Sequence, residues 1–381
     1  MISHWKGTGK KPVIAYAVAG QGRGHVAKSV AIAQMLRNQY DVVFFAGGEA
    51  YDFLIRAELP VVQIPTPRFS FKNNAIHIPG TIRRNFSLVL GLRKILAKIG
   101  RDLQELNPAL IISDFESLLP RAGRKLSIPV LQISHQVVLL CCKTPAPLKE
   151  RFNRFKAWAI TRIMISHFDR ALGVSFFEAP IKKRFRNKVA ILPPALRETL
   201  IERTTTKRER GEHILVYLSC KAFGWVMDKL ANHPNFQFVV YGLDEENLPE
   251  YPNVIHKPIS PEGFMDDLLG AKAVIANGGH NFISEAAWLD LPILSFWVEG
   301  QFEQWLNAWY VEKMGLGRMV DSIQRTDLIL AEFLNALSHS PSRPKARIPD
   351  GNQRLHEGIL AFLKENQHHT PSRLRTTDAV T

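Results

Sequence analysis

The chain has 381 residues, of which 46% are hydrophobic and 22% charged, ordinary values for a globular protein long enough to hold two domains with full cores. Three cysteines, two of them adjacent at Cys141-Cys142 and one at Cys220, exclude a disulfide framework or a zinc spacing and favour a reducing compartment. Met1 to Pro12 lacks the apolar core of a secretory signal and no apolar run approaches the roughly 20 residues of a spanning helix, while a formal net charge of +14 favours an anionic partner: nucleic acid, phosphorylated substrate or lipid surface.

In chain order, Val13 to Ala19 is a continuous apolar run, the pattern of a strand buried on both faces of a parallel sheet. It feeds Gly20-Gln21-Gly22-Arg23-Gly24-His25 and then a helical pattern from Val26 to Leu36. The order resembles a dinucleotide fingerprint, but the third glycine of G-x-G-x-x-G falls at His25, so the spacing is wrong. Strand-like runs recur at 41–45, 61–64, 109–113 and 129–133, with helical stretches between several of them. This βαβ order implies a doubly wound parallel sheet. A second set of strands is expected at 213–219, 236–241, 253–256, 272–276 and 293–296, and a final helix over 352–365.

The expected organisation is therefore a first Rossmann-like domain over 1–196, a charged linker at 197–212 and a second Rossmann-like domain over 213–350. A closing helix occupies 351–366, and a polar tail at 367–381 is expected to be disordered. Two segments of the first half depart from plain α/β patterning. Thr81–Arg101 carries six basic residues before its first acid, with Leu88, Leu92, Ile95, Leu96 and Ile99 on one stripe. Lys149–Arg170 mixes Arg151, Arg154, Lys156 and Arg162 with Phe152, Phe155 and Trp158. Each suits either a helix packed on the sheet with a solvated basic face or an anionic membrane surface; with Lys182 to Arg186 they favour the membrane.

The stretch from Ala276 to Gly317 gathers most of the chemistry. Asn277, Gly278 and Gly279 follow an apolar strand, and paired glycines let a backbone approach a ligand closely. Asn281 is the expected N-cap of the helix that follows, whose start offers its dipole to a phosphate. Glu285 lies one turn along the same face, a carboxylate suited to a pair of sugar hydroxyls. A polar loop then holds Glu303 and Gln304. The assembly suits a nucleotide sugar.

These residues also carry a family resemblance. G-G-H-N-F-I-S-E, then L-P-I-L, then E-Q-x-x-N-A, then G-L-G resembles the donor-binding signature of GT-B glycosyltransferases. It is similar to the UDP-glycosyltransferases and to the bacterial lipid-linked GlcNAc transferase of peptidoglycan synthesis. Asn277 stands where the UDP-glycosyltransferases usually place a phosphate-contacting His, and Glu303 where many place Asp. The resemblance implies a GT-B fold of two Rossmann-like domains. Asn277, Gly278, Gly279, His280, Asn281 and Glu285 would bind a UDP-hexose, with Ser219 near its diphosphate and Glu303 and Gln304 near its sugar. Asn253–Pro258 would supply backbone contacts to the base.

His25, at the carboxyl edge of the first strand, suits a general base that takes a proton from an acceptor hydroxyl; taken alone, it would sooner be a loop His that caps the helix. The family's base His falls at this position, which decides for catalysis. Asp114, ending another strand, is the implied partner that orients His25, with Glu116 as the fallback and helix capping as its other reading. Gly22, Arg23 and Gly24 would border the acceptor. No D-x-D motif is present, so neither metal nor other cofactor is implied. The expectation is an inverting hexosyltransferase at the cytoplasmic membrane face, with a hydroxyl acceptor that is a lipid or lipid-linked intermediate. The rivals are a nucleotide-sugar 2-epimerase, which needs no acceptor, and a GT-B-like nucleic-acid-binding protein, for which little else speaks.

Overall fold

The computed structural model describes residues 11–21, 23–72, 75–204, 211–218, 223–243, 250–258, 260–339 and 348–366. Gly22, Ser219, Cys220 and the tail at 367–381 lie outside the described residues.

Continuous apolar runs build the centre of a seven-stranded sheet in the order β3-β2-β1-β6-β7-β8-β9. Its strands are β1 (Val13–Val18), β2 (Asp41–Ala46), β3 (Val61–Gln63), β6 (Leu110–Asp114), β7 (Val130–Ile133), β8 (Arg170–Val174) and β9 (Val189–Leu192). All pair in parallel. The second sheet, in the order β12-β11-β10-β13-β14-β15, comprises β10 (Ile214–Tyr217), β11 (Phe238–Tyr241), β12 (Val254–His256), β13 (Ala273–Asn277), β14 (Ile293–Phe296) and β15 (Gly317–Met319). It too is parallel throughout. A short antiparallel pair, β4 (Phe71–Lys72) and β5 (Ala75–Ile76), stands apart.

Helices cover both sheets. In the first half they are α1 (Arg23–Leu36), α2 (Gly48–Arg56), α3 (Ile78–Leu90), α4 (Leu92–Leu106), α5 (Leu118–Lys125), α6 (Val137–Cys141), α7 (Arg151–Met164) and α8 (Glu198–Thr204). The remainder are α9 (Val226–Ala231), α10 (Pro261–Gly270), α11 (His280–Trp288), α12 (Phe302–Lys313), α13 (Thr326–His339) and α14 (Asn352–Glu365). The fold is thus α/β with two doubly wound parallel sheets, as the strand pattern required. Each sheet reverses its winding once, between β1 and β6 and between β10 and β13. Open α/β sheets bind ligands in the crevice at the carboxyl ends of such strands.

Four local expectations are corrected. The first helix begins at Arg23, not Val26, so Gly24 and His25 belong to its first turn rather than to a loop. The basic stretch at 81–101 is two helices broken at Gly91. The helix after β10, which the sequence pattern places over Ala222–Leu230, begins at Val226. Glu303 and Gln304 form the first turn of α12, not a loop. The strands β8, β9 and β15 were also hidden. They are short, begin with Arg170 or Gly317, or lie at the sheet edge. At Gly317 an added Cβ would collide with the backbone of Ile293, so glycine is what lets β15 pair.

The closing helix α14 packs on the first sheet. Leu355, Ile359, Phe362 and Leu363 join one core with Ile14, Tyr16, Leu131 and Leu172. Asn352 fastens its start by exchanging hydrogen bonds with the backbone N–H and C=O of Leu196, at 3.0 and 2.9 Å. Ile359 is fully buried. Ile359→Ala should therefore lower stability by about 2–5 kcal/mol, transfer and cavity together, in urea unfolding. A loss under about 0.5 kcal/mol, the scale of a surface change, would remove α14 from the core.

Candidate active site

The register of the first sheet places Val18 beside Asp114 at the carboxyl ends of β1 and β6, where the winding reverses. Asp114 is fully buried, so its carboxylate needs close partners. Helix α1 supplies three of them from one face, at spacings of three and four residues. His25 Nδ1 lies 2.8 Å from Oδ1, Lys28 Nζ 2.9 Å from Oδ2, and the Ser29 hydroxyl donates to Oδ2 at 3.3 Å. Burial opposes the charge of Asp114, yet the Lys28 ammonium first and His25 second hold its carboxyl below the ordinary range. An ionised carboxylate only accepts, so Nδ1 of His25 donates and Nε2 carries the lone pair. No described residue hydrogen-bonds Nε2.

The turn after β6 completes this corner. Phe115 has φ of +54°, an uncommon backbone for an aromatic residue, and its ring lies parallel to His25 at 5.8 Å. Glu116 accepts hydrogen bonds from the N–H groups of Leu118 and Leu119 at 2.7 and 2.8 Å. It caps the start of α5, the role that was the alternative reading of Asp114, and is not a second acid for His25.

Across from this corner, β13 ends at Asn277 and α11 begins at His280. An added Cβ on Gly278 would strike the backbone carbonyl of Gln304, so the close approach here is to protein. Gly279, not Asn281, is the N-cap residue. Asn281 instead donates its amide to the carbonyl of Gly24 at 3.0 Å, bringing the glycine turn against the first turn of α1. His280 is buried and stacks on His135 at 3.9 Å. His135 Nε2 is 2.9 Å from Asn307 Oδ1, and the Asn307 amide donates to Gly278 O at 2.9 Å.

Glu285 is buried and faces Arg197, whose Nε and Nη2 lie 2.6 and 2.7 Å from its two oxygens. Gln136 donates to both oxygens of Glu303 at 3.1 and 3.2 Å. Gln304 accepts from the N–H of Val298 and donates to Gln301. Asn253 holds the carbonyls of Leu230, His233 and Phe236 with its amide, a turn-fixing role. The acids of α10 take separate partners, Asp266 with Arg203 and Asp267 with Lys257 and Tyr241.

The structure thus brings Asp114 to His25 and Asn281 to Gly24 at the first turn of α1, while Glu285 and Glu303 meet Arg197 and Gln136. Arg23 is placed only through its backbone. Lys28, His135, Gln136 and Arg197 were not singled out from sequence, and Asn307 entered only as part of the E-Q-x-x-N-A motif. Two signals were there: Lys28 is three residues beyond His25, and His135 follows β7 as His25 follows β1.

Residues 12–338 match the family model described as glycosyl transferase family 1. An uncharacterized glycosyltransferase of Methanosarcina acetivorans is 26% identical over 359 residues, covering 87% of this chain and 89% of the relative. One from Methanosarcina mazei is 23% identical over 340 residues, covering 82% and 88%. Among solved structures, the calicheamicin glycosyltransferase CalG4 superposes with a TM-score of 0.64 at 16% identity, covering 93% of this chain and 99% of its own. MurG of Acinetobacter baumannii gives 0.60 at 16%, covering 92% and 99%. LpCGTa, solved in complex with UDP, gives 0.59 at 15%, covering 93% and 99%. The shared architecture is GT-B.

The stacked histidines make the cleft sensitive to acid. Burial first, and the neighbouring His135 second, hold the pKa of His280 well below its ordinary value; burial likewise lowers His135. The unfolded chain, with histidines near pH 6.5, takes up protons that the folded chain refuses. Stability present above about pH 6.5 should therefore be lost as pH falls. His280→Phe should flatten that loss in urea unfolding at about pH 7.5 and about pH 5.5. An equal loss in both proteins would contradict it.

Proposed function

The chain belongs to glycosyl transferase family 1, and on that premise we propose that it moves a hexose from UDP to a hydroxyl acceptor with inversion. The observation that carries this reading is the His25–Asp114 pair, with Nε2 unbonded among the described residues, set against the glycine turn through the Asn281–Gly24 contact. In this reading the half over 213–350 binds the donor and the half over 1–196 the acceptor. The diphosphate lies against the N–H groups at the start of α11, where the helix dipole favours negative charge. Glu285 accepts hydrogen bonds from the ribose; each oxygen holds a second lone pair beyond the one that Arg197 uses. Glu303 and Gln304 meet the hexose.

As the acceptor oxygen bonds to the anomeric carbon, the bond from that carbon to the diphosphate breaks and UDP departs. The acceptor's proton passes to Nε2 of His25. Asp114 stabilises the imidazolium that results, and Lys28 keeps Asp114 ionised so that it remains an acceptor. LpCGTa, a protein of the same fold, was solved with UDP bound, which supports the nucleotide.

The acceptor is a lipid or lipid-linked alcohol in this reading, reached by docking the first half on an anionic membrane at its cytoplasmic face. Ile82, Phe86, Val89 and Leu90 of α3 are each more than half exposed, as are Leu148, Phe152, Phe155 and Ile163 in and beside α7. Arg83, Arg84, Arg93, Lys94 and Lys98 accompany the first group and Arg151 and Arg154 the second, all exposed. Apolar side chains ringed by cations suit a headgroup interface. Among the described residues no helix is long and apolar enough to cross a membrane.

Two substitutions separate chemistry from binding. His25→Ala should lose about 10²–10⁴-fold in turnover, the contribution of a general base, with UDP affinity unchanged. Glu285→Ala should weaken UDP by about 1–3 kcal/mol in calorimetry. Turnover is read as UDP released from UDP-hexoses with a membrane extract as acceptor source; near-normal release by His25→Ala would return His25 to a structural role, and equal UDP affinities would remove Glu285 from the site.

A third experiment addresses the membrane. Reversing Arg93, Lys94 and Lys98 to Glu should release the protein from anionic vesicles and leave UDP affinity intact, since each basic residue near such a surface contributes about 1 kcal/mol. A parent protein that ignores anionic vesicles at low salt would make a soluble acceptor the better reading.

A further inference from the structure

A second concave region lies at the opposite edge of the first sheet. The residues that line it lead into the amino ends of β7, β8 and β9, whereas His25, Asp114 and His135 follow the carboxyl ends of β1, β6 and β7. A strand of four or five residues, roughly 15 Å long, separates the two edges. Here a cleft of about 600 Å³ between α4, α5 and α7 adjoins another of about 360 Å³. Arg162, Ser166 and His167 line both. Arg121, Arg124 and Lys125 complete the cationic wall of the first, and Arg184 and Lys188 that of the second.

Six permanent cations therefore converge on one concave space. None of them forms an ion pair among the described residues. Of the nearby acids, Glu116, in the field of Arg121, accepts from the N–H groups of Leu118 and Leu119, while Asp169 turns one oxygen to the N–H of Val130 at 2.9 Å and holds the other 3.7 Å from His167. Cations at the ends of α5 and α7 are expected, because the carboxyl end of a helix favours positive charge. That accounts for Arg124, Lys125 and Arg162. It does not account for Arg121 at the middle of α5, or for Arg184 and Lys188, which come from the segment before β9. Like charges brought together in a cleft repel, and an anion between them relieves the repulsion.

We propose that this double cleft is a binding site for a phosphorylated ligand carrying at least two negative charges, a diphosphate or the phosphorylated headgroup of a lipid. Two of the arginines are already oriented: Arg121 Nη2 donates to Ile163 O at 3.2 Å and Arg162 Nη1 to Ser166 O at 3.4 Å. One nitrogen of each guanidinium is thereby held, and the remaining donors form planar forks suited to phosphate oxygens. His167 reports the field in the cleft. Burial first, and then Arg124 and Lys188 against the opposing pull of Asp169, hold its imidazole below the ordinary range. A bound phosphate reverses that field and raises it.

The test compares the full chain with Arg124→Gln/Arg162→Gln, and with Arg37→Gln/Arg56→Gln, which removes the same charge from exposed positions elsewhere. Inorganic pyrophosphate is titrated by calorimetry with UDP present throughout, and the His167 ring is followed by NMR. The parent and the Arg37/Arg56 variant should bind pyrophosphate with an upward shift of the His167 titration. Arg124→Gln/Arg162→Gln should bind roughly tenfold or more weakly, as loss of charge-assisted hydrogen bonds requires. A parallel arm measures binding to vesicles of phosphatidylcholine with phosphatidylglycerol against phosphatidylcholine alone. Selective loss in the pyrophosphate arm identifies a soluble phosphate, and selective loss in the vesicle arm alone identifies a lipid-borne one. Arg124→Gln, at an exposed position whose side chain makes no hydrogen bond among the described residues, repeats the comparison if the double variant unfolds at lower temperature. Equal behaviour of the two charge-matched variants in both arms overturns the proposal.

Discussion

A carboxylate buried at the winding reversal of a parallel sheet has to be neutralised by what lies beside it, and Asp114 sets that requirement. Leaving such a charge without partners costs several kcal/mol. Its compensation comes from one helix face: His25, Lys28 and Ser29 stand three and four residues apart on α1 and all reach the same two oxygens. The helix starts at Arg23, early enough for His25 to belong to its first turn. The left-handed backbone of Phe115 and the cap made by Glu116 turn the chain sharply after β6. The ionised acid in turn fixes the tautomer of His25, so the group proposed as base presents its lone pair away from Asp114.

The other side of the cleft is organised by contacts between halves. Asn281 reaches Gly24, Asn307 reaches His135 and Glu303 meets Gln136, while Glu285 meets Arg197 at the start of the linker. Several side chains proposed to hold a nucleotide sugar therefore already have protein partners. A donor entering this cleft exchanges hydrogen bonds rather than adding them, and its affinity is the difference between the two sets. The buried histidine pair adds a condition. Both rings are kept neutral by burial, so the contact that joins β13 and β7 through His280 and His135 is firm at neutral pH and weakened by acid.

The fold was readable because buried parallel strands are mostly apolar: β1 runs unbroken, β13 is apolar up to Asn277, and β6, β7 and β14 are interrupted only by Ser113 and Asp114, Gln132 and Ser295. β8 was not, since it opens on Arg170 and contains Gly173, nor was the three-residue β15. The approach of Asp114 to His25, 89 residues away, was legible because Asp114 ends a core strand at the edge where His25 stands, and the family resemblance then favoured partner over helix cap. Lys28 was legible in principle from its spacing to His25, but only with the helix start at Arg23, and glycines at 22 and 24 argue locally against an early helix. Arg197 and Gln136 could not be found from sequence at all. Their relation to Glu285 and Glu303 depends on how the two halves meet, which no local pattern records.

The most direct test is a crystal structure of the full chain with a UDP-hexose bound. The account predicts the diphosphate against the backbone at Gly278–Asn281, the ribose at Glu285, and the anomeric carbon facing Nε2 of His25 across the cleft. A nucleotide seated elsewhere, or a sugar whose anomeric carbon points away from His25, would contradict it.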